Sequence, residues 1–237
     1  RHADGDARRL LTALETAVAA LGEGKLSLAA VAEAVGKKAP RYDRAGEEHY
    51  NLISALHKSV RNSDVDAALY WLVRMLESGE DPRYVARRLV RMASEDVGLA
   101  DPSALSLTVA AAQAVEQVGM PECALALVQA AAYLALAPKS NALYLAHHEV
   151  KRDVMETINE PVPFHLRNPV TEEMKDQGYG KDYRYAHDEP QGVAAMPSLP
   201  EGLRDREYYR PKDVGWEGRI SKRLQALRAL IRSRPRP

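Results

Sequence analysis

The stretch from Asp81 to Ala137, DPRYVARRLVRMASEDVGLADPSALSLTVAAAQAVEQVGMPECALALVQAAAYLALA, decides the fold class. Its apolar residues recur at helical spacing rather than alternating. Asp81-Pro82, Asp101-Pro102 and Met120-Pro121 each open a helix. Asp suits the cap, and Pro suits the first helical position, where its missing N–H had no partner. Gly98 and Gly119 close the helices between them. The three prolines stand 20 and 19 residues apart, which predicts helices of similar length, short turns and antiparallel neighbours. The segments do not match residue by residue, so this is not a repeat. The helix expected from Glu122 to Ala137 is apolar almost all round, with Ala124, Leu125, Leu127, Val128, Tyr133, Leu134 and Leu136 leaving no polar face. Such a helix needs cover on every side. Its neighbour, Ser103 to Val118, has only Gln113, Glu116 and Gln117 as large polar residues. Either a second copy of the chain or a later segment has to cover the pair.

Upstream, Asp64 caps a helix with Leu69, Leu72, Val73 and Leu76 inward and Gly79 at its end. Before it, Glu47 to Val60 turns Leu52, Ile53, Leu56 and Val60 inward. Two earlier helices are expected, Asp6 to Leu21 and a short one capped by Ser27 and ended by Gly36. Downstream, Ser140 caps a helix running to about Ile158. From Glu160 the texture changes. Pro161, Pro163, Pro169, Pro190, Pro197, Pro200 and Pro211, with glycines among them, exclude long helices. One turn near Thr171 to Gln177 is expected there, with room for a short β-hairpin. Tyr179, Tyr183, Tyr185, Tyr208 and Tyr209 are expected to anchor this segment over the bundle. A last helix, Trp216 to Ile231, carries Ile220, Leu224, Leu227 and Ile231 on one face. The fold class is all-α, with one irregular segment.

The chain has 237 residues, enough to bury a core without disulfides or metal. It opens at Arg1 without an initiator Met and reads as a piece of something longer. Lys and Arg number 33, as do Asp and Glu, so no overall electrostatic hold on nucleic acid or anionic lipid is built in. Only the last helix is locally basic. One cysteine, Cys123, cannot form an internal disulfide, which fits a reducing compartment. No signal peptide opens the chain. The longest apolar stretch, Ala124 to Ala137, falls short of the roughly 20 residues a membrane span takes.

Catalytic motifs are missing. Gly22-Glu23-Gly24-Lys25 and Gly178-Tyr179-Gly180-Lys181 are too short for a phosphate loop and lack Ser or Thr after the Lys. His147 and His148 are adjacent, so on a helix they diverge and cannot chelate one metal together. His49 and His57 share a helical face and suit a core or surface role. Glu47-Glu48, Glu95-Asp96 and Glu172-Glu173 read as solvated or first-turn charges. The run Tyr179-Gly180-Lys181-Asp182-Tyr183-Arg184-Tyr185 interleaves aromatics with bases. It can stack single-stranded nucleic acid through Lys181 and Arg184 or simply pack a loop, and packing is the preferred reading. Arg219, Lys222 and Arg223 on the last helix are candidates to touch phosphates, against the plainer reading of a solvated face.

Four strings together resemble one family: HYNLISALHKSVRNSDVDAALYWLVRMLESGEDPRYVARRL (His49 to Leu89), ASEDVGLADP (Ala93 to Pro102), YLALAPKSNALYLA (Tyr133 to Ala146) and PVPFHLRNPVTEEMKDQGYGKDYRYAHD (Pro161 to Asp188). They are similar to the C-terminal part of the replication-associated recombination protein A family, which includes bacterial RarA (MgsA) and the eukaryotic Werner-helicase-interacting ATPase. The resemblance implies a clamp-loader-like AAA+ ATPase that uses ATP and Mg, acts at stalled replication forks and associates with single-stranded-DNA-binding protein. It implies a bacterial cytoplasmic, nucleoid-associated location and no membrane. On this likeness residues 1–40 are the end of the helical lid. Residues 41–237 are a collar holding a homotetramer, its first part 41–100 and its family-specific part 101–237. Gly5-Asp6-Ala7-Arg8 is similar to the lid's Gly-Ser-x-Arg, which makes Arg8 the sensor-2 candidate toward ATP in a full-length parent. Asp6 departs from the Ser. The nucleotide-binding Walker motifs are not in this sequence, so no catalysis is expected of the chain itself.

Overall fold

The computed structural model describes residues 47–233 and four isolated positions between Leu11 and Val18. Of the helix expected from Asp6 to Leu21 only those four positions are described, all helical; the helix expected to end at Gly36, Arg8 and the lid–collar boundary near residue 40 lie outside the described residues. Within them are eight α-helices and no strand, so the short β-hairpin does not form there. The prolines and glycines after Glu160 make isolated 3-10 turns instead, at Phe164–Leu166, Ala186–Asp188 and Glu201–Leu203.

The first five helices make the bundle. Helix α1 (Glu47–Arg61) buries Leu52, Ile53, Leu56 and Val60, as its spacing predicts. Helix α2 (Val65–Glu77) starts where the Asp64 carboxylate accepts from the Ala67 N–H. It buries Ala68, Leu72, Met75 and Leu76, but Val73 faces out. The inward stripe is one position narrower on that side, because α2 packs mainly on α1 and α5. Helix α3 (Pro82–Met92) has Asp81 accepting from Arg83 N–H and Pro82 at its first position. Helix α4 (Ser103–Val118) follows Asp101, which accepts from Ser103 N–H. Helix α5 (Ala124–Leu136) begins three residues later than Pro121 suggests, because Pro121 sits in the preceding turn. It packs against α1 to α4 and buries Leu127, Ala130, Ala131, Leu134 and Ala135. Leu125 and Leu136 stay 73% and 72% exposed. Among the described residues those two side chains are not covered, and the helical elements packed most closely on α5 are α1 to α4.

Between α3 and α4 the helix loosens into a π-turn, Ala93–Val97, and a 3-10 turn, Gly98–Ala100. Helix α6 (Ala142–Glu156) leaves the bundle here and packs mainly on these turns among the described helical elements. The short α7 (Glu172–Asp176) is capped by Thr171, as expected near that position. Helix α8 (Gly215–Arg232) docks on the 3-10 turn. Gly215 has φ +52, and a Cβ there would collide with the Ala100 carbonyl, so only glycine lets the helix start this close. Ile220, Leu224, Leu227 and Ile231 are half-buried rather than core, and the fully buried residue of α8 is Glu217. No helix among the described residues is long and apolar enough to cross a membrane.

Candidate functional site

Three of the four family-like strings meet at one cavity. Arg61 comes from the end of α1, Glu95 and Asp96 from the π-turn, and Lys139, Ser140, Asn141 and Tyr144 from the α5–α6 connection. Lys212, just before α8, closes it, and the space is about 380 Å³. A π-turn widens the backbone and turns side chains away from the path a regular helix would give them. Here it brings two consecutive acidic residues against α1. Asp96 Oδ2 meets His57 Nε2 at 2.7 Å, and Oδ1 accepts from Arg61 Nε at 2.6 Å. Glu95 accepts from Arg61 at 3.3 Å and from Arg91 at 2.8 Å. Glu95-Asp96 is thus not a solvated pair, and Asp96 is buried. Burial works to raise the Asp96 carboxyl, but the hydrogen bonds from His57 and Arg61 outweigh it and hold it below the usual carboxylate range.

His57, Glu95 and Asp96 also place three potential ligand atoms within 4.8 Å of one another. Two guanidinium groups already balance those carboxylates, and a divalent ion would face their charge. The same atoms serve a structural ion network better. His49 meets Glu80 at 2.6 Å and stacks on Tyr84. His147 and His148 sit on the exposed side of α6 with ring centres 5.6 Å apart.

Behind the cavity lies a buried node that sequence reasoning missed. Glu217 is 0% exposed and accepts from Ser140 Oγ at 2.7 Å, Tyr209 OH at 3.0 Å and Lys212 N–H at 2.8 Å. Ser140 stands one residue ahead of the α6 cap position, Asn141, and accepts from Ala142 N–H, and its own N–H donates to the Asp96 carbonyl. Burial, then the bond to Glu217, raises the Tyr209 hydroxyl. Tyr208 and Tyr209 are anchors, as expected, and their hydroxyls donate to the buried Asp153 and Glu217 carboxylates. The signal in the sequence was a lone Glu in a basic helix, one turn past Lys212.

The residues 206–210 form a strap along α6. Asp153 of α6 is 2% exposed and takes Tyr208 OH at 3.0 Å and Arg206 Nε at 2.9 Å, while Glu149 takes Arg210 at 2.8 Å. So the covered side of α6 is acidic or small, with Ala142 and Ala146 completing it. On one flank of the helix Leu143, Val150 and Val154 recur at helical spacing with His147 among them, while His148, Lys151, Arg152 and Glu156 are also exposed. Val154 is 49% exposed and Met155 beside it 68%.

The tyrosine-rich segment is divided. Tyr179 packs edge-on to Phe164, with Arg167 over both rings at 5.2 and 4.2 Å. Tyr183 and Tyr185 are exposed, as is Lys181. Arg184 is held bidentate by Glu189 at 2.8 and 2.7 Å. Arg219, Lys222 and Arg223 stand exposed together on α8, without an ion-pair partner among the described residues.

Two family descriptions match the chain, "AAA C-terminal domain" over residues 1–61 and "MgsA AAA+ ATPase C terminal" over residues 62–228. An uncharacterised AAA domain-containing protein of Mycobacterium tuberculosis is 50% identical over 98% of this chain and 52% of its own length. The replication-associated recombination protein A of Coxiella burnetii is 49% identical over 97% of this chain and 53% of its own. That of Escherichia coli K12 is 46% identical over 94% and 52%. The chain thus spans about half the length of the curated relatives it matches. It belongs to the MgsA family of AAA+ ATPases and corresponds to that family's C-terminal, all-helical region.

Proposed function

We propose that this chain is the self-association region of a AAA+ ATPase of recombination and repair at stalled replication forks, a collar that holds four copies together. The observation that supports this is α6, which turns Glu149 and Asp153 under the 206–210 strap while Leu143, Val150 and Val154 stay exposed along one flank. A helix facing only water places its apolar stripe the other way round. Residues 41–237 form the collar, and residues 1–40 the end of the lid. In the full-length protein ATP and Mg bind the preceding domain, with Arg8 as sensor 2. Fork DNA and single-stranded-DNA-binding protein are engaged by that whole protein, in the bacterial cytoplasm at the nucleoid. The chain alone performs no catalysis.

Light scattering on the purified chain tests the reading. The expected mass is four times 26.2 kDa, and a monomer at tens of micromolar overturns it. Arg8→Ala in the full-length protein is expected to slow hydrolysis strongly, since an Arg at the transferring phosphate stabilises developing charge. Wild-type turnover there removes the sensor assignment.

A second reading is a DNA contact through α8, favoured by the unpaired cations Arg219, Lys222 and Arg223. Of the tyrosine-loop candidates only Lys181 stays free for such a role, because Arg184 is neutralised by Glu189. A gel shift that weakens steeply with salt supports it, and no shift at low salt ends it.

A further inference from the structure

Lys139 makes its hydrogen bonds without a carboxylate, although the Asp96 charge lies near enough to act on it. Its ammonium donates to Ser63 Oγ at 3.1 Å and to the Ala135 and Ala137 carbonyls at 2.8 and 2.6 Å, all neutral oxygens. Burial holds it below the usual lysine value. Charged groups taken out of water are normally paired, because leaving one unpaired costs several kcal/mol. Lys212 stands on the same cavity. Its backbone N–H is bound to Glu217, while its exposed ammonium has no carboxylate partner among the described residues.

The acidic residues of that cavity make no ion pair with these two ammonium groups, and Asp96 acts on Lys139 only at a distance. Asp96 is closed by His57 and Arg61, and Glu95 by Arg61 and Arg91. With those pairs satisfied, the unbalanced charge on the wall is positive. Asn141 and Tyr144 also line the space, at the start of α6. Ammonium groups, an amide and a hydroxyl around about 380 Å³ suit a tetrahedral oxyanion carrying a further group.

We infer that the cavity between the α1 C-terminus, the π-turn, the α6 N-terminus and Lys212 binds a phosphate group. The phosphate comes either from a DNA backbone or from a small free phosphate compound, and the chemistry of recognition is the same. Lys212 and Lys139 supply the charge, and Asn141 and Tyr144 the directional contacts. The site is distinct from the cations of α8 and does not depend on how many copies assemble.

Calorimetric titration of the chain at low ionic strength tests this, with inorganic phosphate and, separately, a short oligothymidine. Both titrations are repeated on Lys212→Glu and Lys139→Gln. At least one probe is expected to saturate on the unmodified chain, and Lys212→Glu to weaken it by about tenfold or more, as loss of one charged hydrogen bond does. An oligonucleotide that inorganic phosphate displaces identifies the DNA backbone as the source. Saturation by inorganic phosphate alone identifies a small free compound. If neither probe saturates, or Lys212→Glu binds as well as the unmodified chain, the inference is wrong. Oligonucleotide binding lost in Lys222→Glu but untouched in Lys212→Glu puts DNA on α8 instead and also overturns it. Lys139→Gln can unfold the chain, since Lys139 ties down three oxygens. Lys212 is exposed and its side chain unpartnered, so its variant carries the test alone.

Discussion

At the residue scale, the carboxylates decide more than the hydrophobic residues reveal. Asp96 receives bonds from two side chains of α1 and, through its carbonyl, the N–H of Ser140. It therefore pins the α5–α6 connection to the start of the bundle. Asp96→Asn keeps the size but removes the charge that Arg61 and His57 address. A loss of about 2–3 kcal/mol in urea unfolding is expected, the cost of leaving partly buried cations unpaired. The acid limb follows from the direction of the shift. The folded Asp96 carboxyl titrates below its unfolded value, so its contribution is present above the ordinary carboxylate pKa and is lost as pH falls through the folded one. The Asn variant should lack that part of the acid loss and converge on the unmodified chain at low pH. Equal stability of the two proteins at pH 7 would show that the network contributes nothing. None of this was legible from Glu95-Asp96 as a dipeptide. Adjacent acids on a regular helix diverge, and it took the π-turn, which no spacing rule announces, to turn both against α1.

At the element scale, capping and periodicity carried most of the fold. Asp64 and Asp81 accept the N–H that their place in the sequence predicts, and Ser140 accepts the first N–H of α6 from one residue ahead of the cap position, Asn141. The inward set of α1 is buried as its spacing requires. Two features escaped for physical reasons. The stripe of α2 was drawn one residue too wide, because periodicity gives a face but not how much of it a neighbour covers. Leu72→Ala is accordingly expected to cost about 2–5 kcal/mol, as truncation in a filled core does, while Val73→Ala costs well under half of that. Matched chemical denaturation of both variants checks this, and equal losses would restore the wider stripe. The orientation of α6 was also hidden. Its composition mixes Leu143, Val150 and Val154 with Glu149 and Asp153, and only the strap at 206–210 shows that the acids are the buried side. Arg206, Tyr208 and Arg210 are more than fifty residues away in the chain, beyond the reach of any local pattern.

At the scale of the whole molecule, two sets of exposed apolar residues constrain how the four copies proposed above would close. One is a flank of α6, with Leu143, Val150 and Val154, continued past the helix end by Ile158. The other is on α4 and α5, where Leu105, Val109, Leu125 and Leu136 face out. A cyclic tetramer repeats one interface four times, whereas a dihedral one uses at least two different two-fold contacts. Two apolar sets on one chain fit the dihedral arrangement, each set meeting its own copy across a two-fold axis. Val150→Asp places a charge in the middle of the α6 set without touching the strap or the buried acids. In a dihedral tetramer it breaks one kind of contact and leaves the other, so light scattering should report a dimer. In a ring built through α6 it breaks every contact and leaves a monomer. The dimer is the expected result, and combining Val150→Asp with Leu125→Asp should then take the dimer to a monomer. Circular dichroism should stay unchanged throughout, because both side chains are exposed or half-exposed in the single chain. A tetramer that survives Val150→Asp would remove α6 from the interface while leaving self-association through α4 and α5 intact.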